Sequence, residues 1–176
     1  HNGEVLDLGF APDGRHLASA GADGEVAIWD ISGGSSYKVA TLEGHTASMS
    51  PGCAWSSSGA RIASRDPDGT VLLIRVWDIA TQQEYPLCEA HGGWLNTVVF
   101  SPDGRLLLSA SRATVQIRDA RAGAMDQSFD GHETLVHQAC FSPCGRFIAS
   151  ASSDRTVRVW RTSDGSCLAT LSDHGG

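Results

Sequence analysis

The feature that most constrains this chain is an internal repeat built from histidines and hairpin turns. Nine or ten residues after each of four histidines stands an aromatic residue, and a turn that contains glycine follows. In the third copy, His91 is followed by Phe100 and then by a turn with Gly104. The histidines, together with a last one near the end of the chain, recur at spacings of 44, 46, 41 and 42 residues, at positions His1, His45, His91, His132 and His174. Such a period indicates copies of one supersecondary unit that stack on each other.

Each copy contains four short segments with the composition of β-strands. In the first copy these are VLDLGF, HLASA, EVAIWD and KVATL, and turn residues separate them. Glycine in the first turn suits a hairpin that ends in a residue with positive φ. No segment shows a helical period flanked by capping residues. The sequence therefore predicts an all-β fold of β-propeller blades, each with four antiparallel strands, and four blades per chain with boundaries at 1–44, 45–90, 91–131 and 132–176.

The motifs in these copies resemble those of the WD-repeat family of β-propellers. The resemblance rests on Gly44-His45 and Gly131-His132, on Trp29-Asp30 and Trp77-Asp78, and on three turns that read PDGR or PCGR. It extends over essentially the whole chain, and the motifs are specific as a set. It implies a rigid scaffold that binds proteins or peptides at its narrow end, called the top face below.

The resemblance also implies a buried relay of hydrogen bonds from Trp to Ser to His to Asp within each blade. Such a relay ties the loop before the first strand to the second and third strands. The matching residues are His1, Ser19, Asp23 and Trp29 in blade 1; His45, Ser64, Asp68 and Trp77 in blade 2; His91 and Ser109 in blade 3; and His132, Ser150, Asp154 and Trp160 in blade 4. Because this Ser/His/Asp set recurs beside a Trp, we interpret it as structural rather than catalytic, and we predict that the protein is not an enzyme.

Blade 3 departs from this pattern. Arg118 stands where the Trp is expected, the second turn is one residue shorter than in blade 4, and no Asp occupies the relay position. Loss of the relay predicts that blade 3 is the softest of the four. The Arg118 guanidinium is expected either to occupy the place of the indole or to point to solvent. In blade 2 the third strand is three residues longer than in blade 4, which predicts a bulge or an extended strand end.

Composition narrows the range of partners. The net charge is −7, and the basic residues, all Arg except Lys38, are spread along the chain, so neither nucleic acid nor an anionic membrane is an expected partner. No apolar run approaches the length of a membrane-spanning helix. The five histidines of the repeat fall in different blades, and no ligand set for a metal or cofactor is expected. The five cysteines form no zinc motif and predict free thiols in an intracellular compartment, cytoplasmic or nuclear.

Four blades cover about half of a ring, since full propellers hold about 4–8 blades. The two outer faces should be apolar, because neither end of the chain reads like a polar capping repeat. Our preferred hypothesis is that two copies associate head to tail as a homodimer and close a ring of eight blades. The alternatives are a fragment whose natural chain supplies more blades, and a tight ring of four blades.

The predicted function is protein–protein interaction through the top face. Register from the Gly-His motifs and from the loops between second and third strands selects the candidate binding residues, which are Glu4, Met49, Arg65, Trp94, Arg112, Leu135 and Arg155. A lectin-like propeller that binds small ligands is an alternative, but it would need an exposed aromatic and polar pair repeated in each blade, and no such pair recurs.

Overall fold

The computed structural model describes residues 1–42, 52–67, 72–85, 88–91 and 95–172. Across these residues the chain forms sixteen β-strands in four antiparallel sheets of four strands, and each sheet uses strands in chain order. This is the all-β architecture that the repeat predicts. Among the described residues there is no helix long and apolar enough to span a membrane.

The strands follow the four copies of the repeat. The first sheet contains β1 (Val5–Phe10), β2 (His16–Gly21), β3 (Val26–Asp30) and β4 (Tyr37–Leu42). The second contains β5 (Gly52–Trp55), β6 (Arg61–Pro67), β7 (Leu72–Asp78) and β8 (Cys88–His91). The third contains β9 (Leu95–Phe100), β10 (Leu106–Ser111), β11 (Thr114–Asp119) and β12 (Met125–Phe129). The fourth contains β13 (Val136–Phe141), β14 (Phe147–Ser152), β15 (Val157–Arg161) and β16 (Cys167–Leu171).

The hairpin between the first two strands of each sheet turns on a glycine. The four equivalent glycines have φ between 66° and 71°, at Gly14, Gly59, Gly104 and Gly145. This conformation is open to glycine without a Cβ penalty, so the glycine of each PDGR-like turn has the role that the sequence predicts. In the second sheet the middle hairpin is longer, and its pairing runs as far as Pro67 opposite Leu72. The extra residues of blade 2 therefore extend the strand ends.

Consecutive sheets bury one face of each against the next. Between the third and fourth sheets, for example, Leu108, Val115 and Phe129 of the third pack with Ile148 and Trp160 of the fourth. The same register positions form the clusters between the first and second sheets and between the second and third. The face that carries the position of Trp29, Trp77, Arg118 or Trp160 is called the Trp-side face below, and the opposite face the Ala/Val-side face. Within the chain, the Ala/Val-side face of one sheet packs on the Trp-side face of the next.

The two outermost faces have no such cover. On the Trp-side face of the first sheet, Leu8 and Phe10 are 59% and 64% exposed. On the Ala/Val-side face of the fourth sheet, Leu171 is 52% exposed, whereas Leu42 at the equivalent position of the first sheet is 1% exposed. The expectation of apolar outer faces is met, and the four sheets do not form the tight closed ring that was one of the alternatives.

Candidate functional site: the relay and the loops at the top face

The relay in the fourth sheet is a chain of short hydrogen bonds. The indole Nε1 of Trp160 donates to Oγ of Ser150 at 2.8 Å, and this Oγ lies 2.8 Å from Nε2 of His132. The other ring nitrogen, Nδ1, lies 2.7 Å from Oδ2 of Asp154. Since the indole can only donate, the Ser150 hydroxyl is left to donate to His132, whose Nδ1–H then donates to Asp154. The four side chains thus connect the second and third strands of the sheet, the turn between them and the loop that precedes the first strand.

Asp154 anchors the outer end of this chain. Burial opposes its ionisation, but hydrogen bonds from the Thr156 hydroxyl, from His132 and from the backbone N–H groups of Thr156 and Glu133 outweigh burial. Together they hold the pKa of Asp154 well below its usual value. The carboxylate therefore stays ionised at neutral pH and fixes the loop that carries His132.

Gly131, which precedes the histidine, has φ of 153°, a conformation that residues with a Cβ rarely adopt. A Cβ there would stand 2.7 Å from Nη1 of Arg158 and 3.2 Å from the Trp160 ring. The Gly-His pair therefore has a packing reason at this position.

The first sheet carries the same arrangement. Trp29 Nε1 donates to Ser19 Oγ at 2.8 Å, His1 Nε2 lies 2.7 Å from that oxygen, and His1 Nδ1 lies 3.0 Å from Asp23. Burial opposes ionisation of Asp23, but backbone hydrogen bonds from Glu25 and Asn2 outweigh it and lower its pKa. Here the relay lies on the uncovered outer face, so Trp29 is only half-buried, whereas Trp160 is buried beneath the third sheet.

In the second sheet the structure shows one link of the relay. Trp77 Nε1 donates to the buried Ser64 Oγ at 3.2 Å. His45 and Asp68, the other predicted members, lie outside the described residues, as does the side chain of His91 in the third sheet.

Arg118 occupies the register position of the missing tryptophan. It pairs with Leu107 across the sheet, as Trp160 pairs with Ile148 and Trp29 with Leu17. Its guanidinium is half-buried and donates to Oε1 of Gln116 at 3.0 Å and to the carbonyl of Gly123 at 3.5 Å. Of the two outcomes expected for Arg118, the side chain lies along its sheet and does not extend into solvent.

The predicted top-face residues fall into two groups. Glu4, Arg112, Leu135 and Arg155 are exposed at the same end of the sheets as the relay loops. Met49 and Trp94 lie outside the described residues, and so does the side chain of Arg65. Two further residues at this end, His137 and Ser153, were not expected. Both are exposed beside Leu135 and Arg155, and Nε2 of His137 lies 2.6 Å from Oγ of Ser153. Strand alternation gave no signal for them, because the first strand of the fourth sheet is irregular next to Val136.

Comparison with known proteins decides the family. The profile described as WD domain, G-beta repeat matches residues 1–30, 36–78, 82–119 and 123–161, which together make up most of the chain. The chain belongs to the WD40-repeat family. Its four sheets are WD40 blades, numbered 1 to 4 below, and WD40 repeats indicate a protein-interaction scaffold.

Curated relatives of this WD40 chain include three large proteins. It is 32% identical to a transcriptional corepressor, LEUNIG_HOMOLOG, of Arabidopsis thaliana, over 97% of the chain and 21% of that protein. It is 31% identical to a chromatin assembly factor 1 subunit, the FAS2 homolog of Oryza sativa, over 89% of the chain and 33% of that protein. It is 27% identical to the nuclear distribution protein nudF of Aspergillus niger, over 99% of the chain and 44% of that protein. The chain thus spans between about a fifth and less than half of these relatives.

The WD40 relay is poorly suited to nucleophilic catalysis. Ser150 is 1% exposed, and its oxygen already accepts from Trp160 and contacts His132. A nucleophile must reach a substrate carbonyl, which this oxygen cannot do without opening the interface between blades 3 and 4. In blade 1, donor atoms of His1, Asp23 and Glu25 lie within 4.8 Å of each other, but His1 and Asp23 are hydrogen-bonded to one another. The hydrogen bonds of the relays join His1 and His132, in the loops before the first strands, to residues of the second strands and of the turns that follow them.

Cysteine chemistry at the opposite end of the blades was not anticipated. Cys140, Cys144 and Cys167 are free thiols, and the side chain of Cys88 lies outside the described part. Cys144 stands in the PCGR turn, where hydrogen bonds from the Ser142 hydroxyl and from the side chain and backbone of Arg146 lower its pKa to about 7. The only sequence signal was the replacement of the turn's Asp by Cys.

Proposed function

We propose that this WD40 scaffold binds a protein or peptide through its top face, and that the relays hold the binding loops rigid. The observation that supports this most directly is the group of exposed side chains at that end: Arg112, Leu135 and Arg155. Arginine and large apolar side chains on a rigid support are favourable contacts for a partner. The relay of blade 4 fixes the loop that carries Leu135, because His132 lies on the same loop and is bonded to Asp154. We also propose an intracellular site of action, cytoplasmic or nuclear, which the names of the relatives support.

The test compares capture of binding partners by two matched variants. The first changes Arg112 and Leu135 to Ala at the top face, and the second changes Arg15 and Arg105 to Ala, at exposed turns of the other end. Quantitative mass spectrometry identifies the proteins that the wild-type chain captures. We expect the top-face variant to lose these proteins and the other variant to keep them. Equal recovery with both variants would refute the top face as the binding surface.

We further propose that a second copy covers the outer faces and completes a ring of eight blades. The support is that the two open faces carry apolar side chains at the register positions that are buried between neighbouring blades inside the chain. Phe10 corresponds in register to Phe141, which packs between blades 3 and 4, and Leu8 corresponds to Ala139, which is 2% exposed there. Blade 4 offers Ala149, Ala151, Val157 and Val159 on its outer face, at the positions that blade 3 uses to cover blade 4.

Internal contacts between neighbouring blades show how such a seam is fixed. The side-chain amide of Asn96 donates to the carbonyl of Val136 at 2.7 Å, and the indole of Trp55 donates to the carbonyl of Gly9 at 2.9 Å. A copy whose blade 4 meets blade 1 of its partner can repeat the apolar packing of the internal interfaces at both seams of a two-fold ring.

Light scattering during size-exclusion chromatography tests the ring. We expect twice the 18.5 kDa mass of the chain, and we expect Phe10→Glu to return the mass to 18.5 kDa, whereas Met125→Glu, an exposed site on the edge strand of blade 3, leaves it doubled. A stable wild-type monomer contradicts self-association. It then favours further blades from a longer chain, which the partial coverage of the relatives also suggests.

A further inference from the structure

Two arginines of the top face have a backbone conformation that suits glycine. Arg112 has φ of 50° and Arg155 has φ of 67°, and both are exposed at the turn between the second and third strands of their blades. At the position equivalent to Arg155, blade 1 has Gly24 with φ of 79°. In the turns of Gly24 and Arg155, the backbone N–H of that residue donates to the carbonyl three residues earlier at 3.1 Å. The blade therefore accepts glycine here, and arginine is present at a cost in backbone free energy.

The two arginine turns flank the same loop. The backbone N–H of Val136 donates to the carbonyl of Arg112, and the N–H of Ser153 donates to the carbonyl of Leu135 at 2.9 Å. Leu135 therefore lies between the turn of blade 3 and the turn of blade 4, and its side chain is 38% exposed. This arrangement presents one apolar side chain between two cationic ones.

The guanidinium groups are available to a ligand. Among the described residues, neither Arg112 nor Arg155 has a side-chain hydrogen bond or ion pair. Two acids lie nearby, namely Asp154, whose ionised carboxylate is hydrogen-bonded to His132 and Thr156, and the exposed Glu133 of the same loop. The two guanidiniums thus carry positive charge without an acidic partner among the described residues, on a chain whose net charge is −7.

We propose that Arg112, Leu135 and Arg155 form a site for an acidic peptide segment. Carboxylates of the peptide pair with the two guanidiniums, whose planar donors match a carboxylate in two-point hydrogen bonds. An apolar side chain of the same peptide lies on Leu135. The proposal rests on the proposed function of the top face and names the chemistry of its partner.

Two fluorescent peptides of matched length test the proposal by anisotropy, one with the sequence GEELEEG and one with GQQLQQG. We expect the acidic peptide to bind about tenfold more tightly or better. We also expect this preference to weaken as NaCl rises from about 0.05 to about 0.5 M. Equal binding of both peptides, or binding of neither, overturns the proposal.

Substitution by glycine separates binding from folding. Because φ at both sites suits glycine, Arg112→Gly and Arg155→Gly are expected to leave the midpoint of urea unfolding unchanged or higher, while each lowers affinity for the acidic peptide by about tenfold. Glu133→Gln should strengthen binding, and Arg105→Ala at the opposite end should leave it unchanged. Glycine variants that bind the acidic peptide as the wild type does would contradict the assignment.

The outcomes distinguish this inference from the proposed function itself. If Arg112 and Leu135 matter for partner capture but the two peptides bind equally, the top face is the binding surface and its preference for acid is wrong. If the acidic peptide binds but capture does not depend on the top face, the site exists and the proposed scaffold function lies elsewhere on the chain.

Discussion

Blades 3 and 4 are neighbours with nearly the same backbone and different internal connections. In blade 4, Trp160, Ser150 and His132 form a hydrogen-bonded relay that ends on Asp154. In blade 3, Arg118 takes the register position of the tryptophan and bonds to Gln116 in the same strand. Both blades nevertheless form complete four-stranded sheets. The blade backbone thus forms without the Trp and the Asp of the relay.

Packing explains how blade 3 keeps its shape. Leu108, Val115 and Ile117 are fully buried against blade 4, while Leu107 is buried against blade 2. Blade 3 is covered on both faces, whereas blade 4 has one open face and a complete relay. Burial of apolar area and the relay are therefore two separate sources of stability. Blade 3 has more of the first, and blade 4 has more of the second.

The largest expected effect comes from removing the indole of blade 4. Trp160 is 2% exposed and packs edge-on against Phe129 of blade 3. Trp160→Ala leaves a cavity and should lower the free energy of unfolding by about 3–5 kcal/mol. Arg118→Ala, the matched change in blade 3, should cost less than about 1 kcal/mol. Urea unfolding followed by circular dichroism measures both, and similar losses would mean that Arg118 has replaced the tryptophan energetically.

A smaller change tests the hydrogen bonds alone. Ser150→Ala removes the hydroxyl shared by Trp160 and His132 while it keeps nearly the same volume. Because a buried indole N–H and a ring nitrogen lose their partner, we expect a loss of about 1–3 kcal/mol in urea unfolding. Trp160→Phe, which deletes the donor and keeps an aromatic ring, serves as the second variant. A loss below a few tenths of a kcal/mol in both would show that the relay contributes little.

Sequence reasoning reached the blades and the relay positions because both depend on local pattern. The turn glycines and the spacing from Ser150 to Trp160 are fixed by hairpin register, which the sequence displays. The position of the Arg118 side chain depends on its hydrogen bonds to Gln116 and Gly123. Residue spacing does not predict whether a long side chain forms such bonds. The left-handed backbone at Arg155 was equally hidden, since only the glycine in blade 1 hinted at it.

Hydrogen exchange compares the blades without mutation. We predict that amides of β11 in blade 3 exchange about tenfold faster than those of β15 in blade 4, because the relay connects β15 to the loop of His132. Mass spectrometry of peptic fragments gives both rates in one sample. Equal protection would show that burial of blade 3 on both faces compensates for the missing relay.

Acid pH should weaken the relay of blade 4, and the position of Arg118 in blade 3 should not share this effect. The folded pKa of Asp154 lies below its unfolded value, so its ionisation stabilises the fold fully above about pH 4 and this contribution is lost as the pH falls through the folded pKa. We therefore expect the destabilisation by Asp154→Asn to be greatest near pH 7 and to shrink below about pH 4. The effect of Arg118→Ala should stay constant over the same range. A constant effect of Asp154→Asn would mean that its charge does not contribute.

The smallest difference between the two blades lies in the turns at the other end. In blade 3, Asp103 accepts from the Ser101 hydroxyl and the Arg105 N–H, which lower its pKa. Cys144 holds the same place in blade 4, so a turn built for a carboxylate stabilises a thiolate.

Alkylation should reveal this thiolate. With its pKa at about 7, Cys144 is half ionised at neutral pH, and its reaction with iodoacetamide should rise to half its limiting rate near that pH. Ser142→Ala removes the first hydrogen bond and should move the midpoint to higher pH, while Ser166→Ala, in an exposed turn of the same blade, should not. Cys144→Asp should change the free energy of unfolding by no more than a few tenths of a kcal/mol, because it restores the residue that blade 3 uses. A midpoint unchanged by Ser142→Ala would show that the turn does not set the reactivity of this cysteine.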